Sequence, residues 1–285
     1  MTLREALKAG EAYLAQREIP DAAIDAWYLL EYVLKREAQI RADRAWYLLH
    51  SRETLEERLW EAYRGLLDER GNHRPLQYIT GEQEFMGILF FVNDKVLIPR
   101  QDTELLAEEA RRRLSPGDSL LDVCTGSGCL AVSLMKLVPG IRGTACDISA
   151  EALSVARENA RRQQVDVEFR QGDLFSPIEG RFDVIVSNPP YIPTGEIEGL
   201  MEEVRRFEPM LALDGSEDGL YFYRRLAAEA PDFLRDGGWL LVEIGCDQGR
   251  AVAELFEEAG FCEVNCKKDL AGLDRVVTGR RPPER

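Results

Sequence analysis

The chain opens with helical periodicity. Thr2 followed by Glu5 has the form of a capping box, set ahead of Leu3, Ala6, Leu7 and Leu14. Pro20-Asp21 opens a second segment in which Ile24, Trp27, Leu30 and Leu34 fall roughly on one face. Thr54 with Glu57 repeats the capping-box form, and Leu55, Leu59, Ala62, Tyr63, Leu66 and Leu67 then share a stripe. These patterns predict a small helical bundle over residues 1–80. No catalytic grouping stands out there, so its expected role is packing or partner contact.

From Glu84 the period changes. Phe85, Ile88, Phe90 and Val92 flank Met86-Gly87 as a β-hairpin would, and Val96-Leu97-Ile98 adds an extended run before Pro99. After a helix through Arg113, strands and helices alternate. The pattern gives a strand at Leu120–Val123, a helix from Cys129 to Val138, a strand ending at Asp147 and a helix from Ala150 to Gln163. Short buried runs follow at Val167–Arg170, Val184–Ser187 and Trp239–Ile244, then a helix to Ala259. Alternation of this kind predicts a parallel sheet covered on both faces. Phe261–Cys266 and Arg275–Thr278 are joined only by a loop and are expected to pair antiparallel.

Composition narrows the class. Of 285 residues, 45% are hydrophobic and 31% charged, the balance of a globular protein. The charged N-terminus lacks the apolar run of a signal peptide, and Val123–Met135 is too short and too glycine-broken to span a membrane. The expected location is the cytoplasm, with no membrane partner. Six cysteines in no C-x-x-C spacing and two histidines, His50 and His73, give no expectation of a metal site or disulfide framework. Residues 1–80 carry 12 Lys and Arg against 14 Asp and Glu, so −13 of the net charge of −15 falls on the remainder. Such a surface repels phosphate backbones and would suit a basic protein partner.

Two groupings carry chemistry. In Asp122-Val-Cys124-Thr125-Gly126-Ser127-Gly128 a strand turns into a helix, and glycines there let backbone approach a ligand closely. One βα unit on, Asp147 ends the next strand, 21 residues after Gly126, where a carboxylate can accept both hydroxyls of a ribose. The pair indicates a nucleoside cofactor. Ala131 stands where a dinucleotide fingerprint has its third glycine, and a variant fingerprint tolerates alanine, so this feature alone leaves NAD open.

The second grouping is Ser187-Asn188-Pro189-Pro190-Tyr191, directly after a buried strand. Two prolines cannot continue a central sheet, because they donate no ladder hydrogen bonds. The stiffened turn offers the side-chain carbonyl of Asn188 beside the backbone carbonyl of Pro189. Two convergent acceptors suit the two hydrogens of an NH₂ on an sp² carbon, and Tyr191 is expected to supply a flat face for that planar group.

With these residues the chain resembles the Asn-Pro-Pro-Tyr class of S-adenosylmethionine-dependent methyltransferases, and within it the release factor glutamine methyltransferases, the HemK/PrmC family. Further matches are Arg74-Pro-Leu-Gln-Tyr-Ile-Thr-Gly81, Ile98-Pro-Arg-Gln-Asp-Thr-Glu104, Phe207-Glu-Pro-Met-Leu-Ala-Leu213, Asp218-Gly-Leu220 and Lys268-Asp-Leu-Ala-Gly-Leu-Asp-Arg275. The resemblance implies an α/β fold: a seven-stranded Rossmann-like methyltransferase sheet with antiparallel last strand, preceded by a small all-helical N-terminal domain and a connecting β-hairpin. The expected divisions are a substrate-recognition domain over 1–80, a hairpin and linker over 81–104 and a methyltransferase domain over 105–285. It implies S-adenosylmethionine contacts at Cys124, Thr125, Gly126, Ser127, Gly128, Asp147, Asp173, Leu174 and Asn188, with Arg100, Thr103 and Glu104 near the methionine end. It implies that Asn188, Pro189, Pro190 and Tyr191 hold the target, the N5 amide of a Gly-Gly-Gln glutamine in class I peptide chain release factors.

Two departures stand out. Cys124 replaces a common glycine, and since it has a Cβ its backbone is expected to avoid the left-handed region. Leu174 stands where many members carry Trp after the acidic residue, here Asp173. The competing expectation is an adenine-N6 or cytosine-N4 nucleic-acid methyltransferase, which needs the same two acceptors but also a basic groove. A non-catalytic adaptor with the same fold is a further alternative, set against the intact Asn188–Tyr191 motif and Asp147.

Overall fold

The computed structural model describes residues 1–283. The chain forms two compact units, residues 1–81 with 201–207, and residues 82–200 with 208–285.

The first unit holds helices α1 (Leu3–Ala15), α2 (Ala22–Glu37), α3 (Arg44–His50), α4 (Glu57–Gly71) and α5 (Leu76–Thr80). Thr2 and Glu5 close the expected reciprocal cap on α1. Thr54 does not cap α4: it bridges to Thr2, Leu55 N–H donates to the Met1 carbonyl, and α4 starts at Glu57 behind Glu56. Pairing with the N-terminal segment satisfies that backbone and overrides the local cap signal. The apolar stripes form one core including Leu14, Trp27, Leu30, Leu34, Leu59, Tyr63 and Leu67, whereas Ile24 lies exposed. At its edge Arg70 donates through Nε to Asp25 at 2.6 Å and pairs with Glu203 at 2.8 Å, so the buried guanidinium is compensated on both sides.

In the second unit, β1 (Glu82–Phe85) and β2 (Ile88–Phe91) make the expected hairpin. Met86 and Gly87 both take positive φ (54° and 72°), the conformation a two-residue hairpin turn demands. There follow α6 (Thr103–Arg111), β3 (Ser119–Val123), α7 (Cys129–Leu137), β4 (Arg142–Asp147), α8 (Ala150–Gln163), β5 (Val167–Gln171) and β6 (Phe182–Ser187). Helix α9 (Glu202–Phe207) belongs to the first unit. Then come α10 (Tyr221–Phe233), β7 (Leu234–Glu243), α11 (Gly249–Glu258), β8 (Cys262–Lys268) and β9 (Asp274–Arg280). The aromatic start and internal Pro231 of α10 hid it from periodicity. Val96–Ile98 joins no sheet.

The seven strands lie in the order β5-β4-β3-β6-β7-β9-β8. Only β9 runs against its neighbours, pairing antiparallel with both β7 and β8. Every residue of β3 is buried, as a strand covered on both faces requires. One core joins the sheet to α6, α7, α8 and the hairpin through residues such as Phe85, Phe90, Leu106 and Leu130. The other joins it to α10 and α11 through Tyr223, Leu226, Val252 and Phe256. Strand order reverses at β3 and β6, so their carboxyl ends flank a crevice, the place where open α/β sheets bind ligands.

Candidate active site

The turn after β3 is built from backbone. Cys124, Gly126 and Gly128 all take positive φ, at 63°, 54° and 79°. The expectation that Cys124 avoids the left-handed region is therefore incorrect. Its neighbours fix the chain there: Thr125 N–H donates to the Cys146 carbonyl at 3.0 Å, and Ser187 Oγ donates to the Val123 carbonyl at 2.7 Å. The conformation costs an L-residue about 1–2 kcal/mol, which these bonds offset. Gly128 begins α7 so close to α8 that a Cβ would meet Ala156 Cβ at 3.0 Å. Asp122, fully buried, accepts from Thr125 Oγ1 at 2.5 Å and Ala131 N–H at 3.2 Å, and burial pushes its carboxyl up to about 7. Asn159 of α8 joins this turn to the hairpin, donating to the Ser127 and Phe91 carbonyls, each at 2.9 Å.

Asp147 at the end of β4 faces the same turn. One oxygen accepts from Gly126 N–H and the other from Ser149 N–H, both at 2.9 Å, and burial raises its pKa. Each carboxylate oxygen keeps a second lone pair for a ligand.

A cavity of about 280 Å³ opens here. Cys124, Thr125, Gly126, Ser127, Asp147, Asp173, Leu174, Asn188 and Pro190 line it; Gly128, Pro189 and Tyr191 do not. Arg100 and Thr103 are at its wall, but Glu104 instead accepts from Met86 N–H at 2.6 Å. Apolar walls come from Ile148, Leu174 and Leu211. The cations at the cavity are matched. Arg225 grips both oxygens of Asp173 at 3.0 and 2.8 Å, Arg100 pairs with buried Glu208, and Lys95 lies 3.6 Å from Glu151. Asp147 is matched by no such cation and holds only backbone N–H groups. Its backbone partners leave Asp147 open to a neutral diol.

The turn after β6 is built differently. Asn188 Nδ2 donates to the buried hydroxyl of Thr103 at 3.2 Å, which directs the amide nitrogen away and leaves the carbonyl free. Pro189 and Pro190 are buried, and Tyr191 packs against the core shared with α10 and α11. Its hydroxyl lies 3.5 Å from Glu243 Oε1, and the Gln248 amide donates to its carbonyl at 2.9 Å. Gly219, at φ 70°, closes over this turn; a Cβ there would lie 2.4 Å from the Tyr191 carbonyl. Arg225, Ile148, Asn159 and Glu243 escaped the sequence reading, and Glu208 entered it only within the Phe207–Leu213 match, without a role. Only Ile148, the residue after Asp147, carried a local signal.

Sheet order, reversed β9, the glycine turn and the Asn188–Tyr191 turn define a methyltransferase-type α/β domain. A family model described as "Methyltransferase small domain" matches residues 100–204, and one described as "PrmC N-terminal domain" matches residues 5–81. A methyltransferase crystal structure from Pyrococcus furiosus shares the fold, with TM-score 0.53 and 20% identity over 70% of this chain and 91% of that one. Release factor glutamine methyltransferase of Geobacter sulfurreducens is 42% identical over 98% of this chain and 96% of its own length. That of Moorella thermoacetica is 42% identical over the whole of both chains. The chain belongs to the release factor glutamine methyltransferase family.

Proposed function

We propose that the protein transfers a methyl group from S-adenosylmethionine to the side-chain amide nitrogen (N5) of the Gly-Gly-Gln glutamine in class I peptide chain release factors, in the cytoplasm and without a metal. The observation that carries this reading is the Asn188 amide, held by Thr103 so that its carbonyl is left to accept from an NH₂ group at the cavity. Family membership supports it.

S-adenosylmethionine supplies, when bound, a methyl carbon made electrophilic by the adjoining sulfonium. Asp147 would accept the ribose hydroxyls with its remaining lone pairs. Ile148 and Leu174 at the cavity wall would enclose the adenine, with Asp173 beside them. The backbone of Cys124, Thr125, Gly126, Ser127 and Gly128 lets the cofactor come close. An amide nitrogen is a poor nucleophile, because its lone pair is delocalised, so orientation is the protein's main contribution. The Asn188 and Pro189 carbonyls accept the two N–H bonds, turning the lone pair towards the methyl and stabilising positive charge that develops on nitrogen. Once methylated, the nitrogen would be acidic and would give its proton to water, so no side chain here need act as base. Pro190 stiffens the turn, and Tyr191 braces it from the core side. The helical domain over 1–80 recognises the release factor, the hairpin and linker over 81–104 connect it, and 105–285 carries the chemistry.

The test is isotope transfer from labelled S-adenosylmethionine. Label is expected in a class I release factor and absent when its Gly-Gly-Gln glutamine is replaced. Label in DNA or RNA instead would establish the nucleic-acid reading, and no transfer at all would establish the adaptor reading.

A further inference from the structure

Glu243 ends β7 with its side chain closed off from solvent, 1% exposed, and it does not line the cavity. Ser187 pairs with Val242 across β6 and β7, so Asn188 and Glu243 are the next residues at two adjoining strand ends. Thr103, the first residue of α6 and itself buried, serves both. Its Oγ1 accepts from Asn188 Nδ2 at 3.2 Å, and its hydroxyl favours the ionised form of Glu243. The Tyr191 hydroxyl stands 3.5 Å from Oε1, while Oε2 has no hydrogen-bond partner among the described residues. An isolated buried carboxylate is expensive to keep, and packing alone gives no reason for one here.

We propose that Glu243 is a positioning residue for methyl transfer, acting through the Thr103 hydroxyl to set which end of the Asn188 amide faces the cavity. This rests on the reading of Asn188 as acceptor of the target amide. The logic is one of proton count. A threonine hydroxyl has one proton, and a carboxylate can only accept. With Glu243 ionised, the Thr103 proton points to it, and the Thr103 lone pairs take the NH₂ of Asn188. The Asn188 carbonyl then faces the target NH₂. With Glu243 protonated or removed, Thr103 is free to donate to the Asn188 carbonyl. The amide can then turn over, setting NH₂ against NH₂.

The Thr103 hydroxyl, Arg275 from β9 and the Tyr191 hydroxyl favour ionisation of Glu243, and Asp102 ahead of α6 opposes it; its charge in turn raises the Tyr223 hydroxyl of α10 and the Cys129 thiol of α7. Tyr223 also donates to the Glu243 backbone carbonyl at 2.8 Å. Burial dominates and pushes the carboxyl up to about 7, inside the range where an assay can follow it. The required form is the ionised one, so turnover falls as pH drops through that value. Asp122 is also raised to about 7, and its titration would remain in every Glu243 variant.

The experiment is single-turnover methylation of a class I release factor by the full-length protein at saturating S-adenosylmethionine, from about pH 6 to 9. Cofactor affinity is measured by calorimetry, which also reports folding. Glu243→Ala is expected to lose about 10-fold or more in turnover with less than about 3-fold change in affinity. Glu243→Gln, which like the protonated acid offers Thr103 a donor as well as an acceptor, is expected to be as slow as Glu243→Ala. Its acid limb should be shallower, only the Asp122 titration remaining, whereas Glu243→Asp keeps the charge and is expected to recover part of the turnover. Thr103→Val is expected to match Glu243→Ala, with the double variant no slower than either. Full turnover in Glu243→Ala or in Glu243→Gln, or an unaltered acid limb in Glu243→Gln, would each overturn the proposal. If wild-type protein leaves the release factor unmethylated, the Asn188 reading itself fails. If it methylates the factor and a variant departs as stated, only the role of Glu243 falls.

Discussion

The two strand-end turns that meet at the cavity solve opposite problems. After β3 the chain bends through three positive-φ residues, Cys124, Gly126 and Gly128, and presents backbone. After β6, positions 188–191 include no positive φ, and two prolines hold one side chain, Asn188, against Thr103. The first turn presents glycine backbone to the cavity, with Gly126 N–H donating to Asp147 across the gap. The second presents a directed carbonyl. One geometry suits binding, the other orientation, and Ser187 ties the two together through the Val123 carbonyl. Damage to the first should appear in affinity, and damage to the second in the rate of the chemical step.

The largest effect is expected at Asn188. Asn188→Ala should lower single-turnover methylation at saturating cofactor by about 10²-fold or more, as when one preorganised polar group is removed. Asn188→Asp keeps acceptor oxygens and should retain some activity. Near-normal chemistry in the alanine variant would reduce the turn to a scaffold. Next comes Asp147→Ala, expected to weaken S-adenosylmethionine binding about 10- to 100-fold by calorimetry. Unchanged affinity would remove Asp147 from the site.

Smaller effects sharpen the contrast within the glycine turn. Gly128→Ala adds a Cβ at φ 79° and 3.0 Å from Ala156, and should lower stability by about 1–2 kcal/mol in denaturant unfolding. An unchanged midpoint would mean that α7 and α8 yield easily there. Cys124→Gly relieves the strain at φ 63° but adds freedom to the unfolded chain, for a net gain of about 0.5–1 kcal/mol. A lowered melting temperature would show the thiol packing to outweigh the strain.

The same contrast explains what the sequence disclosed. The sheet was legible because buried parallel strands read as apolar runs, and the reversed β9 because a bare loop precludes a crossover helix. The Thr2–Glu5 cap was legible because both partners are local; the Thr54–Glu57 pattern misled because Thr54 finds Thr2 instead. Asn188 and Asp147 announced themselves by place and residue type. Their supports did not. Glu243, Glu208 and Arg225 act through partners 52 to 140 positions away or on loops that periodicity cannot register. Cys124 shows the limit on the other side: residue type argued against a left-handed backbone, and hydrogen bonds from neighbouring strands impose one.

The most direct test of this division of labour sets Asp147→Ala beside Asn188→Ala in single-turnover methylation of a release factor, each at a cofactor concentration that saturates it. Asp147→Ala should then recover to within about 3-fold of wild type, because its defect lies in binding, while Asn188→Ala should remain about 10²-fold slow. Recovery of both, or of neither, would contradict the account.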